Sequence, residues 1–225
     1  MQVYNCLQGS HDWFAARCGI ITASSMSDVL AKGQGKTRAT YMHKLVGEVM
    51  TGDAASNYIN EHTERGHELE GFAREIYQDG QTLPVSEVGF IRNHDDIGGV
   101  GYSPDGFVGD EGLLEIKTRL PHLQVELLLS DSVPSQHVAQ IQTGLWVTGR
   151  KWLDFVSFCP GMPLFQKRIF PDSDYIEAMR GEVIKFYAEM REKITKIEAL
   201  NGTIPQPKIC VQVPLPNEGV IYGDR

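Results

Sequence analysis

The spacing of apolar residues along the chain alternates between a helical and a strand-like pattern. Apolar residues three and four positions apart predict helices, and short apolar runs between turn residues predict strands. Helices are predicted over residues 10–17, from Thr22 or Ser24 onward, and over residues 41–50, 64–78, 134–149 and 174–200. Strands are predicted over residues 85–92, 98–108, 113–118, 152–159 and 164–170. This mixture favours an α/β fold whose N-terminal third is helical.

Length and composition bound the number of domains. The chain has 225 residues, which suits one α/β domain that buries roughly 70% of its unfolded surface. We expect residues 1–200 to form that single domain. Residues 201–225 contain several prolines and show no helical or strand period, a composition typical of a disordered linker. We expect instead that the apolar residues of this tail pack on the domain or on a neighbouring subunit.

The apolar runs and the cysteines indicate location and redox state. No apolar run approaches the ~18 residues of a membrane span, and the first residues lack a basic segment followed by an apolar one. We therefore expect a cytoplasmic protein. Cys6, Cys18, Cys159 and Cys210 show no C-x₂-C spacing, which argues against a zinc site and favours reduced thiols.

Two carboxylates and a lysine are predicted to meet in a hairpin. Asp105 follows a Ser-Pro pair near the end of one predicted strand, and Glu115 and Lys117 lie in the next strand, after the turn residues 109–112. Alternate side chains of a strand share a face, so Glu115 and Lys117 project together. Mg²⁺ is bound by one or two carboxylates with water and phosphate, and a neighbouring lysine can orient or deprotonate an attacking water. The arrangement suits magnesium-dependent hydrolysis of a phosphodiester.

A surface role explains the same three residues, because a Pro-Asp-Gly turn before an amphipathic strand with a solvated face is a common pattern. Three further motifs change this interpretation: WFAARCGIITAS at residues 13–24, RGHELE at residues 65–70, and AQIQ at residues 139–142 followed by Trp146. Together with the hairpin, and in the same order, they resemble the phage lambda exonuclease family, also called YqaJ-type viral recombinases, of the PD-(D/E)xK nuclease superfamily. The resemblance covers residues 12–149.

This resemblance implies a fold and a catalytic set. The fold is a restriction-endonuclease-like PD-(D/E)xK core, an α/β structure in which helices flank a central mixed sheet. The metal ligands that it implies are Asp105, Glu115, Glu70 and the backbone carbonyl of Ile116. They are expected to hold Mg²⁺, two ions per active site, with Mn²⁺ able to substitute. Lys117, assisted by Gln140, is expected to position the attacking water. Without the resemblance, Gln140 would be interpreted as a solvent-exposed residue of a helix.

A pocket for a 5′-phosphate is the second implication. Arg17 closes one predicted helix and Ser24 begins another, so a guanidinium, a hydroxyl and backbone N–H groups can converge on an anion. The family adds a serine that corresponds to Ser103. It also uses an arginine whose aligned place here holds His122-Leu123, and Arg119 is the candidate substitute.

The expected activity follows from the same resemblance. The protein would be a metal-dependent 5′→3′ exodeoxyribonuclease that digests one strand of linear double-stranded DNA from 5′-phosphorylated ends. It would release 5′-mononucleotides and leave a 3′ single-stranded overhang for recombination by strand annealing. The expected assembly is a ring-shaped homotrimer, and the expected partner is a single-strand annealing protein in the cytoplasm of a bacterial host cell. A structure-specific or restriction-type endonuclease of the same fold and a non-catalytic DNA-end-binding module stay open.

Net charge argues against DNA binding. The formal charge is −8, whereas affinity for DNA comes largely from neutralised phosphates. Bound Mg²⁺ and a local concentration of basic residues would reduce the conflict. The loop at residues 32–38 is the candidate for that concentration. Its sequence also resembles a nucleotide-binding P-loop. Leu30, however, stands where that motif requires its first glycine, so ATP binding is rejected. Contact with DNA and a solvated loop stay open for this segment.

Overall fold

The computed structural model describes residues 1–32, 35–54, 61–93 and 98–201, with the backbone alone for residues 61–68 and 201. The tail predicted over residues 201–225 lies outside these ranges except for its first residue, and so do residues 33–34 of the basic loop. Within the described ranges, no helix combines the length and the hydropathy needed to cross a membrane.

The described chain is mainly helical up to residue 79, with two short strands, then forms five strands in succession and continues with helices, two strands and a final long helix. The strands are β1 (Gln2–Tyr4), β2 (Ile21–Thr22), β3 (Val85–Ser86), β4 (Phe90–Arg92), β5 (Val100–Tyr102), β6 (Gly106–Val108), β7 (Gly112–Thr118), β8 (Trp152–Phe158) and β9 (Phe165–Ile169). The helices are α1 (His11–Arg17), α2 (Met26–Leu30), α3 (Thr37–Thr51), α4 (Glu61–Asp79), α5 (Pro121–Ser130), α6 (Val138–Thr148) and α7 (Ser173–Asn201).

Two sheets share these strands. The larger has the order β3-β6-β7-β8-β9, and the smaller has the order β1-β4-β5-β2. In the larger sheet β7 runs antiparallel to β6 and parallel to β8, with Glu115 opposite Phe155. The sheet is therefore mixed, and helices cover it, so the predicted α/β fold class is confirmed.

The single strand predicted over residues 98–108 is wrong in one respect. It is interrupted at residues 103–105, so that β5 belongs to the smaller sheet and β6 to the larger. Pro104 lies at the interruption, and proline has no N–H to donate to a ladder. The Asp105 N–H donates to Leu114 O at 3.2 Å, so pairing with β7 begins as soon as the proline has been passed.

The strand predicted over residues 85–92 is interrupted in the same way. Its halves are β3 of the larger sheet and β4 of the smaller one. Gly89 lies between them, where a Cβ atom would stand 2.2 Å from the Cys6 carbonyl oxygen. Only glycine permits this approach to the segment after β1. Two of the predicted strands thus each contain a crossing from one sheet to the other, at points that strand periodicity does not mark.

The observed helix boundaries agree better than the strand boundaries with those predicted from the spacing of apolar residues. Ser10 caps α1 by accepting a hydrogen bond from the Trp13 N–H at 3.3 Å. The predicted helix at residues 134–149 is a 3₁₀ turn followed by α6, which ends at Gly149 with a φ of 65°. Helix α5 and the strands β1 and β2 were not predicted.

Helices α4 and α6 cover opposite faces of the larger sheet. Ala73 and Tyr77 of α4 pack with Leu114 and Ile116 of β7. On the other side, residues of α6 pack in the main core with Leu113. Since alternate residues of a strand point to opposite faces, Glu115 and Lys117 project on the α6 side.

A polar network fastens α4 to the sheet. The Asp154 carboxylate on β8 is fully buried. It accepts hydrogen bonds from the Tyr77 hydroxyl at 2.7 Å and from Arg168 Nε and NH2 at 2.8 Å each. Gln166 Nε2 donates at 3.0 Å. A buried charge with this many donors is a stable anchor, and it holds the helix that also carries Glu70.

Candidate active site

The Glu115 carboxylate lies at the centre of the predicted catalytic residues and is 1% exposed. Its Oε1 accepts hydrogen bonds from Lys117 Nζ at 2.6 Å and from Gln140 Nε2 at 2.5 Å. Its Oε2 accepts from the Tyr102 hydroxyl at 2.7 Å. Three donors from β5, β7 and α6 thus fix the orientation of one carboxylate.

Tyr102 was not predicted to belong to this group. Burial raises its pKa, and the charges of Glu115 and Asp105 act in the same direction, so the hydroxyl stays protonated and donates. Gly144 on α6 lets the ring fit, because a Cβ atom there would stand 2.8 Å from the Tyr102 ring. The spacing of Tyr102 just before the Ser-Pro-Asp stretch was the only signal available in the sequence.

Asp105 lies beside Glu115 at the crossing between the sheets. Its Oδ2 accepts a hydrogen bond from the Ile116 N–H at 2.5 Å. Burial raises its pKa well above the usual range, and the carboxylates of Glu115 and Glu70 raise it further. Three acids therefore repel one another here, and a cation among them would relieve that repulsion.

Glu70 reaches this region from α4. Its Oε1 accepts from Arg74 NH2 at 2.8 Å, and Arg74 Nε donates to the Asp105 carbonyl oxygen at 2.9 Å. Arg74 also forms an ion pair with Glu87 at 2.9 Å. Glu70, Arg74 and Asp105 line a cleft of about 390 Å³. Arg74 was not predicted, although a carboxylate and an arginine four residues apart on a helix are a recognisable pair.

Lys117 carries its charge in this setting. Burial acts to lower its pKa, but the carboxylates of Glu115 and Asp105 outweigh that effect, so the pKa is raised. A protonated lysine donates hydrogen bonds and stabilises negative charge. In this charge state the ammonium group can orient a water molecule and stabilise negative charge.

The donor set suits a hard cation. Among the described residues, no group of three or more His, Cys, Asp and Glu side chains is arranged to hold a metal ion. Mg²⁺, however, is commonly bound by one or two carboxylates with waters and substrate phosphates. Asp105 and Glu115, with Glu70 at the cleft, carry carboxylate oxygens of the kind that such a site uses.

Arg17 joins the active site to a second pocket. Its NH1 donates to Ser103 Oγ at 3.2 Å, and Trp13 Nε1 donates to the same oxygen at 2.8 Å. The guanidinium carbon lies 3.9 Å from the centre of the Trp13 ring. Burial lowers the pKa of Arg17 to about 10, with Tyr41 and Glu48 acting in the opposite direction. The group is therefore still cationic at neutral pH.

The pocket beside Arg17 has a volume of about 80 Å³. Arg17 and Ser24, two of the predicted phosphate-binding residues, both line it, and Ser103 is attached through Arg17. Tyr41 and Lys44 of α3 also line it and were not predicted. They come from a helix distant in sequence from the motif, so no local pattern identifies them.

Known proteins share the sequence pattern and the fold of this chain. The sequence profile of the YqaJ-like viral recombinase domain matches residues 12–151. This chain belongs to that family. The crystal structure of LHK-Exo in complex with dAMP is similar at 37% identity with a TM-score of 0.78, over 84% of this chain and 97% of that one.

A second structure of LHK-Exo, described as an alkaline exonuclease from Laribacter hongkongensis, gives a TM-score of 0.76 at 37% identity, with 84% and 97% of the two chains covered. A phage-related exonuclease from Haemophilus somnus is similar in fold alone, at 13% identity and a TM-score of 0.57 over 79% of this chain and 96% of that one. No curated protein sequence gives a significant match. Family membership and the exonuclease relatives make this chain a nuclease of the viral-recombinase type.

Arg119, the candidate substitute for the family's second arginine, stands apart from the pocket beside Arg17. Its NH2 lies 2.7 Å from His137 Nε2, and it is not among the residues that line the pocket. Burial lowers the pKa of His137 to about 4, and the charges of Lys117 and Arg119 act in the same direction. The neutral ring therefore accepts the hydrogen bond from Arg119. A role for Arg119 in binding phosphate stays a prediction.

Proposed function

We propose that this protein is a Mg²⁺-dependent 5′→3′ exonuclease that digests one strand of linear double-stranded DNA from a 5′-phosphorylated end. The observation that carries the proposal is the connection between two sites. Ser103, which accepts hydrogen bonds from Arg17 and Trp13, stands two residues before Asp105. A terminal phosphate bound near Arg17 would bring the next phosphodiester of the same strand toward the carboxylates. The complex of LHK-Exo with dAMP, a nucleoside monophosphate, supports mononucleotides as the product class.

Asp105, Glu115, Glu70 and the backbone carbonyl of Ile116 are the groups that we propose hold the metal, two Mg²⁺ ions per site, with Mn²⁺ able to substitute. When bound, the metal supplies Lewis-acid stabilisation of the charge that develops on the phosphate oxygens. Arg74 holds Glu70 and the Asp105 carbonyl in one geometry, because it donates to both. The Tyr102 hydroxyl holds the Glu115 carboxylate in place by donating a hydrogen bond to it.

Lys117 and Gln140 orient the attacking water in this proposal. Their donor nitrogens converge on one oxygen, Glu115 Oε1, so both are held at the centre of the site. The water oxygen forms a bond to phosphorus while the bond from phosphorus to O3′ of the terminal nucleotide breaks, and that O3′ takes up a proton. The products are a 5′-mononucleotide and a strand that is one nucleotide shorter and again carries a 5′-phosphate.

Assembly is the less direct part of the proposal. A ring-shaped homotrimer that threads duplex DNA would retain its substrate by topology, which makes the net charge of −8 tolerable. The 3′ single-stranded overhang would then pass to a single-strand annealing protein. A mass by light scattering equal to three chains is the expected result for the oligomer.

One gel experiment tests the activity. Linear duplexes with 5′-phosphate ends, linear duplexes with 5′-hydroxyl ends and a covalently closed circular duplex are incubated with and without Mg²⁺. We expect mononucleotide release from the phosphorylated linear DNA, slower release from the hydroxyl ends, and none without the metal. Cleavage of the circle would instead identify an endonuclease, and binding of ends without any cleavage would identify an end-binding module.

A further inference from the structure

Gln8 lies in the segment between β1 and α1 and reaches the region where the chain passes between the two sheets. Its Nε2 donates to the Val88 carbonyl oxygen at 3.0 Å and to the Pro104 carbonyl oxygen at 2.9 Å. Val88 lies between β3 and β4, and Pro104 lies between β5 and β6, so each carbonyl belongs to one crossing between the sheets. An amide nitrogen carries two protons, and both are used to hold the two crossings side by side.

The backbone on both sides of Gln8 is fixed. Before it, β1 pairs with β4, and the Cys6 carbonyl oxygen passes so close to Gly89 that a Cβ atom there would stand 2.2 Å away. After it, the Ser10 N–H donates to the Leu7 carbonyl oxygen at 3.0 Å, just before α1 begins. The two hydrogen bonds of Gln8 therefore have to order only its own side chain, which lowers their entropic cost.

Pro104 depends on this contact more than another residue would. Proline has no N–H, so its carbonyl is the one backbone group through which a hydrogen bond can hold it. That carbonyl accepts from Gln8. Because Asp105 is the next residue, the position of Pro104 also sets where the backbone of this proposed metal ligand begins.

The next carbonyl is held from a different element. Arg74 of α4 donates from Nε to the Asp105 carbonyl oxygen at 2.9 Å. Gln8 and Arg74 both line the cleft of about 390 Å³ that also contains Pro104 and Asp105. Two consecutive carbonyls are thus fixed by side chains that lie 66 positions apart in the sequence, and the carboxylate between them starts from a defined backbone.

We propose that Gln8 is a positioning residue of the metal site, which together with Arg74 fixes Pro104 and Asp105 and thereby sets the affinity for the divalent cation. The proposal rests on the proposed exonuclease function. Gln8 precedes residues 12–151, the span that the family profile matches. Groups that orient metal ligands without touching the metal typically change metal affinity or activity by about 10–100-fold.

The binding test titrates Mn²⁺ alone into the parent and into Gln8→Met, whose unbranched side chain has a similar size and no donor. We expect the Kd to rise about tenfold, the lower end of the usual range, because Gln8 acts through the main chain. Gln78→Met is the matched control. Gln78 also makes two hydrogen bonds, to the Leu83 carbonyl oxygen at 3.2 Å and from the Val85 N–H at 2.6 Å, in a turn that contributes none of the proposed ligands. Its Kd should equal that of the parent.

A kinetic test separates positioning from a general loss of stability. Cleavage of a linear 5′-phosphorylated duplex is measured over a range of Mg²⁺ concentrations. For Gln8→Met we expect the half-saturating Mg²⁺ concentration to rise about tenfold, the KM for DNA to stay at the parental value, and excess Mg²⁺ to restore most of the rate. Gln78→Met should lower the Tm without changing the Mg²⁺ requirement.

A double-mutant cycle tests whether Gln8 and Arg74 hold the same segment. The free energy of Mn²⁺ binding is measured for Gln8→Met, Arg74→Met and the double variant. We expect the double variant to lose less than the sum of the two single losses, because the segment can be released only once. Fully additive losses would show that the two side chains act independently, and would overturn the shared hold on Pro104 and Asp105.

The remaining outcomes separate this proposal from the proposed function. An unchanged Mn²⁺ affinity in Gln8→Met, or an equal loss in Gln78→Met, would overturn the role of Gln8. A parent that binds Mn²⁺ but cleaves no DNA would overturn the proposed function and leave the titration decisive for Gln8. A parent that binds no metal would overturn both. If Gln8→Met does not fold, Gln8→Asn, which keeps the amide on a shorter side chain, is measured by the same criteria.

Discussion

The carboxylate site and the pocket beside Arg17, which we propose binds the terminal phosphate, are built in opposite ways. Glu115 is 1% exposed and receives three hydrogen bonds, so the carboxylate has one orientation before any ligand arrives. Arg17 and Lys44 instead line a pocket together with the hydroxyl groups of Thr22 and Ser24. Chemistry at phosphorus depends on pre-organised groups, whereas recognition of an end requires only accessible positive charge and donors. The difference suggests that substitutions can affect rate and end preference separately.

The two regions are nevertheless joined by a short piece of chain. Ser103 belongs to the pocket side and Asp105 to the carboxylates, and two extended residues span about 7 Å. Gln8 Nε2 clamps this connection by donating to the Pro104 carbonyl at 2.9 Å and to the Val88 carbonyl at 3.0 Å. The sites can be altered one at a time, but they cannot easily move apart.

The largest effect is expected from Asp105→Ala. Asp105 is a proposed metal ligand and also accepts the Ile116 N–H, so we expect the loss of both Mg²⁺ binding and cleavage. Calorimetric titration of Mg²⁺ or Mn²⁺ and a nuclease assay measure the two. A variant that still binds metal like the parent and cleaves at a comparable rate would remove Asp105 from the site.

Lys117→Ala should separate binding from hydrolysis. We expect cleavage to fall by about 10²–10⁴-fold, the usual contribution of a positioned group to proton transfer and orientation. Binding of a 5′-phosphorylated end should survive, because the pocket lies on the other side of residues 103–105. Single-turnover rates and fluorescence anisotropy with labelled DNA measure the two quantities. Parallel loss of DNA binding would show that the two regions are not separable.

Arg17→Ala should act on the other region. A charged hydrogen bond to phosphate contributes roughly 1.5–3 kcal/mol, so the preference for 5′-phosphate over 5′-hydroxyl ends should fall about tenfold to a hundredfold. Because Arg17 also donates to Ser103, the melting temperature is measured in parallel. Undiminished discrimination between the two kinds of end would mean that the phosphate binds elsewhere.

The smallest functional effect is expected from Tyr77→Phe, which is a test of the scaffold. Burial raises the pKa of Tyr77 and Asp154 acts in the same direction, so the hydroxyl donates to the buried carboxylate at any ordinary pH. Its loss should cost about 1–2 kcal/mol of unfolding free energy, since Arg168 and Gln166 still donate. Urea unfolding measures this cost. The ratio of rates on phosphate and hydroxyl ends should stay at the parental value, and a changed ratio would show that the anchor of α4 influences end recognition.

The residues around the carboxylates could be anticipated from the sequence because their determinants are local. Glu115 and Lys117 share a face of one strand, and the pairing of β6 with β7 across a short turn brings Asp105 to them. The α/β class followed from alternating periodicity, and that expectation is confirmed. The roles of these residues in catalysis stay predictions that the variants above address.

Contacts between distant segments could not be anticipated in this way. Tyr102, Arg74 and Lys44 reach their sites through packing of separate elements, which apolar periodicity does not encode. The interruption at Pro104 was also missed, because strand pattern alone does not reveal that the chain passes from one sheet to the other. Arg119 was named as a substitute for a family arginine whose aligned place holds His122-Leu123, but its contact with His137 depends on how the segment before α6 approaches the end of β7.

The parallel pairing of β7 with β8 sets an order of events during synthesis. Antiparallel neighbours can join through a tight turn, whereas parallel strands need a long crossover, which here contains α5 and α6. The entropy of closing that segment must be overcome before the ladder from Gly112–Trp152 to Thr118–Phe158 can form. A chain still emerging from the ribosome therefore carries Glu115 and Lys117 first, then Gln140 on the crossover, and only afterwards the neighbouring strand β8. The carboxylate site is therefore completed only after the crossover and β8 have been made, and not when the hairpin of β6 and β7 forms.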